Sequence, residues 1–330
     1  MTIFSSNASV GFGCMGMTAF YGPAMQDEAG VELLTSVHAS GCVHFDTAEI
    51  YKQFDNVLPG TQTFNESLVG LCFRTLPRES FTLATKYFPN LHDGQVNYES
   101  VSQAVDDSLE RLGLQYIDLY YCHRMPSSVE QLEEWMASMK QVVTSGRVRH
   151  IGLSEVPAAW LRCAHAIHPV SAVQQEWSLL TREPCESDVV PVCKELGISI
   201  VAYSPLARNL LADPKEAVPD DWRKDHPRYQ QRNYERNRAL AKEVSALASA
   251  RGVSAATLSI GWVLNKARRL GVMCVPIPGT TNAAHAKANL AAATVELSDA
   301  EMSKLEELGA SCAGERANEG YVKQALEGKR

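Results

Sequence analysis

Four residues of this chain have the chemistry of a proton donor and its tuning groups. The apolar run Val43 to Phe45 stops on a carboxylate, Asp46, and Tyr51 follows five residues later. "FTLATK" stops on Lys86 and "YIDLYYCH" on His123. A carboxylate at the end of a buried strand needs a partner, because burying it bare is costly. Lys86 is the partner expected. An ammonium beside a phenol favours phenolate and lowers a pKa that is otherwise about 10. Asp46 would hold Lys86 in place, and His123 could share a proton with the phenol oxygen. Such a set can protonate an oxygen that is becoming an alkoxide, as carbonyl reduction by hydride requires. It needs no metal, and no metal-ligand spacing is evident.

These residues can meet only if the elements bearing them end on one rim. Strands are expected near Ser9–Gly13, Val43–Asp46, Phe81–Lys86, Ile117–Cys122, Arg149–Leu153, Ala172–Glu176, Ser199–Tyr203 and Met273–Ile277. Several are continuous apolar runs, as parallel strands covered by helices require. Helices are expected between them: Asp27 to Ser40 before Gly41, a capping box at Ser127 and Glu130 before a helix stopped by Gly146, Ser187 to Leu196 before Gly197, and a second box at Ser298 and Glu301. Eight β–α units in 330 residues predict one (β/α)8 TIM barrel domain over 1–330, with its site at the C-terminal strand ends. The stretch 206–234, with three prolines and many charges, breaks the rhythm. It is expected to overhang that rim, as a lid or as a surface insertion.

The formal charge of −7 argues against nucleic acid as a partner. No apolar run is long enough for a membrane span. Nine scattered cysteines, an odd number without C-x-x-C, fit a reducing compartment, and the expected location is cytoplasmic. "GFGCMG" spells a dinucleotide fingerprint, yet no helix opens behind it. Its glycines are expected instead to allow close backbone approach at the barrel mouth.

"HFDTAEIY", "LATK", "DLYYCHR", "VRHIGLSE", "VQQEWSLL", "VAYSPL" and "VPIPGT" together resemble the ordered motifs of the aldo-keto reductase family. "MGMTAFYGP" with "YYCHR" and "IGLSE" is similar to the branch acting on aldehydes, aryl alcohols and pyridoxal-like compounds. The resemblance implies an NADP(H)-dependent oxidoreductase that reduces a small carbonyl compound. Asp46, Tyr51, Lys86 and His123 would be the catalytic tetrad, with Tyr51 the proton donor. It further implies that Ser154, Glu155 and Gln174 hold the nicotinamide carboxamide and that Tyr203 stacks on its ring. Ser204 and Leu206 would begin the segment over the pyrophosphate. Gly279, Thr280, His285 and Asn289 would hold the 2′-phosphate and adenine.

The chain departs from the family in four places. Glu155 stands where Asn is more frequent, and a carboxylate can still accept from a carboxamide. Thr281, Asn282, Ala283 and His285 stand where basic residues are common, so NAD(H) is expected to compete with NADP(H), with Lys287 a possible compensation. An insertion at 52–64 borders the substrate mouth. Few residues precede the first strand, which leaves the barrel floor short of packing. The alternative to an enzyme is a cofactor-binding regulatory subunit. A phosphate-binding isomerase fits poorly, because "VPIPGT" lacks the expected glycine-rich loop. Oligomeric state is not legible.

Overall fold

A computed structural model describes residues 3–4, 10–53, 59–212 and 216–322. Eight strands form one sheet in sequence order: β1 (Phe12–Gly13), β2 (His44–Asp46), β3 (Thr82–Tyr87), β4 (Ile117–Cys122), β5 (Val148–Ser154), β6 (Val170–Glu176), β7 (Ser199–Tyr203) and β8 (Cys274–Pro276). Every pairing from β1 to β8 is parallel. Gly11 N–H donates to Pro276 O at 2.9 Å and Gly13 N–H to Pro278 O at 3.3 Å, which brings β1 back to β8. The expected (β/α)8 barrel is the fold found.

The glycine motif serves this closure. A Cβ on Gly13 would lie 2.7 Å from Ile277 O, and one on Gly279 would lie 2.5 Å from Gly13 O. Real Cβ atoms do not approach so closely, so both positions need glycine. Gly16 has only an ordinary contact, 3.7 Å from Tyr21. No dinucleotide helix follows the motif: a short turn at Met15–Met17 leads to α1 (Asp27–Ala39).

Helices α2 (Asn65–Phe73), α3 (Tyr98–Leu112), α4 (Val129–Thr144), α5 (Ala158–Ile167) and α6 (Val190–Leu196) follow β2 to β6. Two helices, α7 (Gln231–Ala250) and α8 (Ala255–Leu270), separate β7 from β8, and α9 (Ala283–Leu290) and α10 (Asp299–Ala310) follow. The main apolar core lies between strands and helices. A smaller one, with Ala84, Leu119, Tyr121, Ala172, Val201 and Val275, fills the barrel interior. Phe4 joins the interior core and meets His44 edge-on at 4.9 Å, so one aromatic side chain plugs the floor. Gly152 leaves room inside for Tyr121, whose ring carbon would otherwise lie 2.3 Å from a Cβ.

Several boundaries move. The first strand shortens to two residues, and Ser9 lies outside the described residues. The α4 cap shifts by one position. Ser128, not Ser127, accepts from Gln131 N–H, because Gln131 Oε1 folds back to take the Ser127 N–H at 3.0 Å. Residues Cys185–Val189 form a wide turn, so α6 begins at Val190 rather than at Ser187. The box at Ser298 and Glu301 forms as expected. Among the described residues no single helix is long and apolar enough to cross a membrane.

Candidate active site

The C-terminal ends of β2, β3 and β4 bring Asp46, Lys86 and His123 to one rim. Side chains alternate along a strand, so the parity that points Ala84 and Leu119 inward also points Lys86 and His123 inward. Lys86 Nζ donates to Asp46 Oδ1 at 2.5 Å and to Thr47 O at 2.7 Å, fully buried. Gln174 Nε2, from β6, donates to Asp46 Oδ2 at 2.7 Å. Burial pushes the Asp46 carboxyl up, against the pull of Lys86. Burial also pushes the Lys86 ammonium down, but Asp46 and Tyr51 outweigh this and keep it above its ordinary value. Lys86 is thus a buried, charged ammonium.

Tyr51 stands over this pair, with Lys86 Nζ 5.0 Å from its ring centre. His123 meets the ring edge-on at 5.6 Å. The expected fall in the phenol pKa is not what the folded protein shows. Burial raises it, and the opposing pull of Lys86 is smaller. The group is therefore held as a phenol, the form that can give a proton. His123 is pushed well below its ordinary value by burial, Arg124 and Lys86, so it is a neutral imidazole. Its Nδ1 is buried without a hydrogen-bond partner among the described residues.

Asn65, which the sequence marks as a helix start and not as a site residue, fixes the turn that carries Tyr51. Its N–H donates to Tyr51 O at 2.8 Å, its Oδ1 accepts from Thr47 at 2.6 Å, and its Nδ2 donates to Thr18 Oγ1 at 2.8 Å. The only sequence signal was its place as the first residue of α2. Part of the 52–64 insertion, 54–58, lies outside the described residues; Lys52 and Phe64 pair at its base.

A cavity of about 1300 Å³ opens at this rim. Ordinary ligand pockets reach about 1,000 Å³, so this one has room for a large ligand and a small one. Asp46, Tyr51 and His123 line it, as do Ser154, Gln174, Tyr203, Ser204, Leu206, Gly279 and Thr280. Ser154 Oγ is buried with no hydrogen-bond partner among the described residues. Glu155, His285 and Asn289 do not line it. Glu155 is buried and bound by Arg316 and Tyr203. His285 and Lys287 are exposed on α9, whereas Asn289 is buried there.

The 206–234 stretch overhangs the rim as expected. Arg208, Trp222, Arg223 and His226 reach the cavity. Tyr229 Oη donates to Arg208 O at 2.6 Å, and Tyr21 meets Trp222 edge-on at 5.7 Å, joining this stretch to the loop after β1. Residues 213–215 lie outside the described residues.

A parallel eight-stranded barrel with Tyr, Lys, Asp and His on its C-terminal rim narrows the class sharply. The chain belongs to the aldo/keto reductase family, whose model matches residues 9–310. A probable aldo-keto reductase 1 from Glycine max is 39% identical over 308 residues, covering 90% of this chain and 84% of the relative. A glycerol dehydrogenase from Gluconobacter oxydans shares the fold with a TM-score of 0.77 at 22% identity, over 92% of this chain and 91% of that one. An aldo-keto reductase from Klebsiella pneumoniae, in complex with NADPH, superposes with a TM-score of 0.71 at 23% identity, over 92% and 91%.

Proposed function

We propose that the chain is an NADP(H)-dependent reductase of aldehydes or ketones, acting as one domain with Tyr51 as the proton donor. The observation that carries this is a phenol kept protonated by burial beside a neutral His123 on the cavity wall, with Asp46 on that wall paired to a charged Lys86 buried behind it. The residues fit the cofactor. A carboxamide at the wall would satisfy the orphaned Ser154 Oγ, and the Tyr203 ring offers a flat surface beside it. When bound, the reduced nicotinamide supplies hydride. Ser154 and Gln174 would hold its amide, and Tyr203 its ring. Ser204, Leu206, Gly279 and Thr280 would line the path of the phosphates. Tyr51 gives its proton to the substrate oxygen, and Lys86 stabilises the charge left on the phenol oxygen.

Phe20, Tyr21, Phe88 and Trp222 on the cavity wall support an aromatic or pyridoxal-like aldehyde as substrate. The nine cysteines are free thiols, which supports a reducing, cytoplasmic setting. No Lys or Arg stands between Thr280 and Ala286. NADPH would therefore be preferred over NADH only modestly, with His285 and Asn289 at the adenosine end.

The test is NADPH oxidation with an aromatic and a pyridoxal-type aldehyde, for wild type and Tyr51→Phe. Turnover lost by about 10²–10⁴-fold in the variant, with NADPH binding kept, is the expected result. NADPH binding without turnover of any aldehyde would favour a regulatory subunit instead.

A further inference from the structure

Two carboxylates stand at neighbouring strand ends almost without solvent. Glu155 follows β5 with a positive φ of 54°, and Glu176 ends β6; each is 1% exposed. Arg316, from the coil after α10, lies between them. Its Nη2 donates to Glu155 Oε2 at 2.7 Å, and its Nη1 to Glu155 Oε1 at 3.2 Å and Glu176 Oε2 at 3.1 Å. Tyr203 Oη donates to Glu155 Oε1 at 2.8 Å, and the Glu176 N–H donates to the same oxygen at 3.2 Å. Glu155 thus accepts from four donors and does not itself line the cavity. The coil that brings Arg316 is fastened at two points, at Arg316 itself and just before it. His226 Nε2 donates to Arg316 O at 2.7 Å, and Asn237 Nδ2 to Ala313 O at 2.9 Å.

The chemistry of this cluster is directional. Tyr203 can donate strongly to Glu155 only while that carboxylate is ionised. A carboxylate buried alone would take up a proton and compete for the donor role. The guanidinium, forked over both oxygens, keeps it an acceptor. Remote in sequence, Arg316 acts on the cavity through Glu155 and the ring of Tyr203.

We propose that Arg316 is a positioning residue, which through Glu155 sets the orientation of Tyr203 and so the grip on the nicotinamide end of the cofactor. This rests on the cofactor reading above. It also reassigns Glu155 from a carboxamide ligand to an anchor for the ring.

The experiment compares two ligands: NADPH, which reaches Tyr203, and adenosine 2′,5′-bisphosphate, which carries only the adenosine end. Dissociation constants are measured for wild type, Tyr203→Phe, Arg316→Lys, Arg316→Met and the double variant Tyr203→Phe/Arg316→Met. Tyr203→Phe and Arg316→Met should each weaken NADPH roughly tenfold, as loss of one charge-assisted hydrogen bond does, and leave the bisphosphate within about twofold. Arg316→Lys should recover part of the loss. In the double variant the two losses should not add. Equal weakening of both ligands, additive losses, or wild-type NADPH affinity in Tyr203→Phe would overturn the proposal. Tyr203→Phe and Arg316→Lys decide the matter if Arg316→Met fails to fold. A folded wild type that binds the bisphosphate but gains nothing from the nicotinamide would sink the cofactor reading as well, and is seen before any variant is made.

Discussion

Gln174 and Asp46, 128 residues apart, are joined across the barrel by a hydrogen bond of 2.7 Å from Nε2 to Oδ2. The carboxylate therefore has one oxygen for Lys86 and the other for a residue that also lines the cavity. Gln174→Met should leave Oδ2 unsatisfied in the core, at a cost of about 1–3 kcal/mol. The urea midpoint should fall accordingly, and kcat should fall with it as Lys86 loosens. An unchanged midpoint would show that water or another group takes over the oxygen.

Lys86→Met leaves Asp46 buried without its ion pair. Removing one member of such a pair costs about 3–5 kcal/mol. Pairing it with Asp46→Asn should restore most of the stability and none of the turnover. If the double variant were no more stable than the single one, the pair would not be the source of the loss.

Reduction at saturating NADPH should show no histidine titration near neutrality. His123 is held well below its ordinary value and Tyr51 above its own. The catalytic form, phenol with neutral imidazole, then persists over roughly pH 6.5–9, and kcat/KM should be flat there. A step near pH 6.5 that disappears in His123→Asn would contradict this assignment.

Buried histidines should make the fold acid-sensitive. Burial, with the charge of Lys86, lowers His44 to about 3, and burial with Arg208 lowers His226 to about 4. Both ordinary values are about 6.5, so the unfolded chain binds more protons between these limits. The stability they contribute is complete above about pH 6.5 and is lost as pH falls through 4 and then 3. Asp46, with its raised value, works in the opposite sense. The informative quantity is therefore a difference. His44→Gln should lose stability between pH 6.5 and 4.5 less steeply than wild type, by up to about 1.4 kcal/mol per pH unit. Identical slopes would exclude His44 as a contributor.

Cofactor choice should respond to His285. His285→Arg should raise the NADPH/NADH affinity ratio, because a guanidinium gives phosphate a permanent forked contact. An unchanged ratio in the variant would remove His285 from the phosphate site.

Much of this was legible in the chain. Strand ends carried Asp46, Lys86 and His123, because parallel strands in a barrel expose chemistry at one end only. The glycines at 11 and 13 were rightly separated from a nucleotide loop by the absence of a helix. Arg316 was not legible: it sits in a coil with no periodicity, and only the fold brings it to Glu155. Glu176 carried a signal, since three polar residues, Gln174 to Glu176, end one apolar strand. The direction of the Tyr51 shift was also missed. Adjacency to an ammonium can be inferred from spacing, whereas the depth of burial that outweighs it cannot.

The closure between β1 and β8 has a further consequence. Pro276 and Pro278 accept from Gly11 and Gly13, but proline has no N–H to return. That junction has lost half of an ordinary ladder, and β1 itself is two residues long. The barrel is thus a curved sheet with a zipper missing alternate teeth. In hydrogen exchange, the Gly11 and Gly13 amides should report the lowest-energy opening of the ring, well before those between β4 and β5.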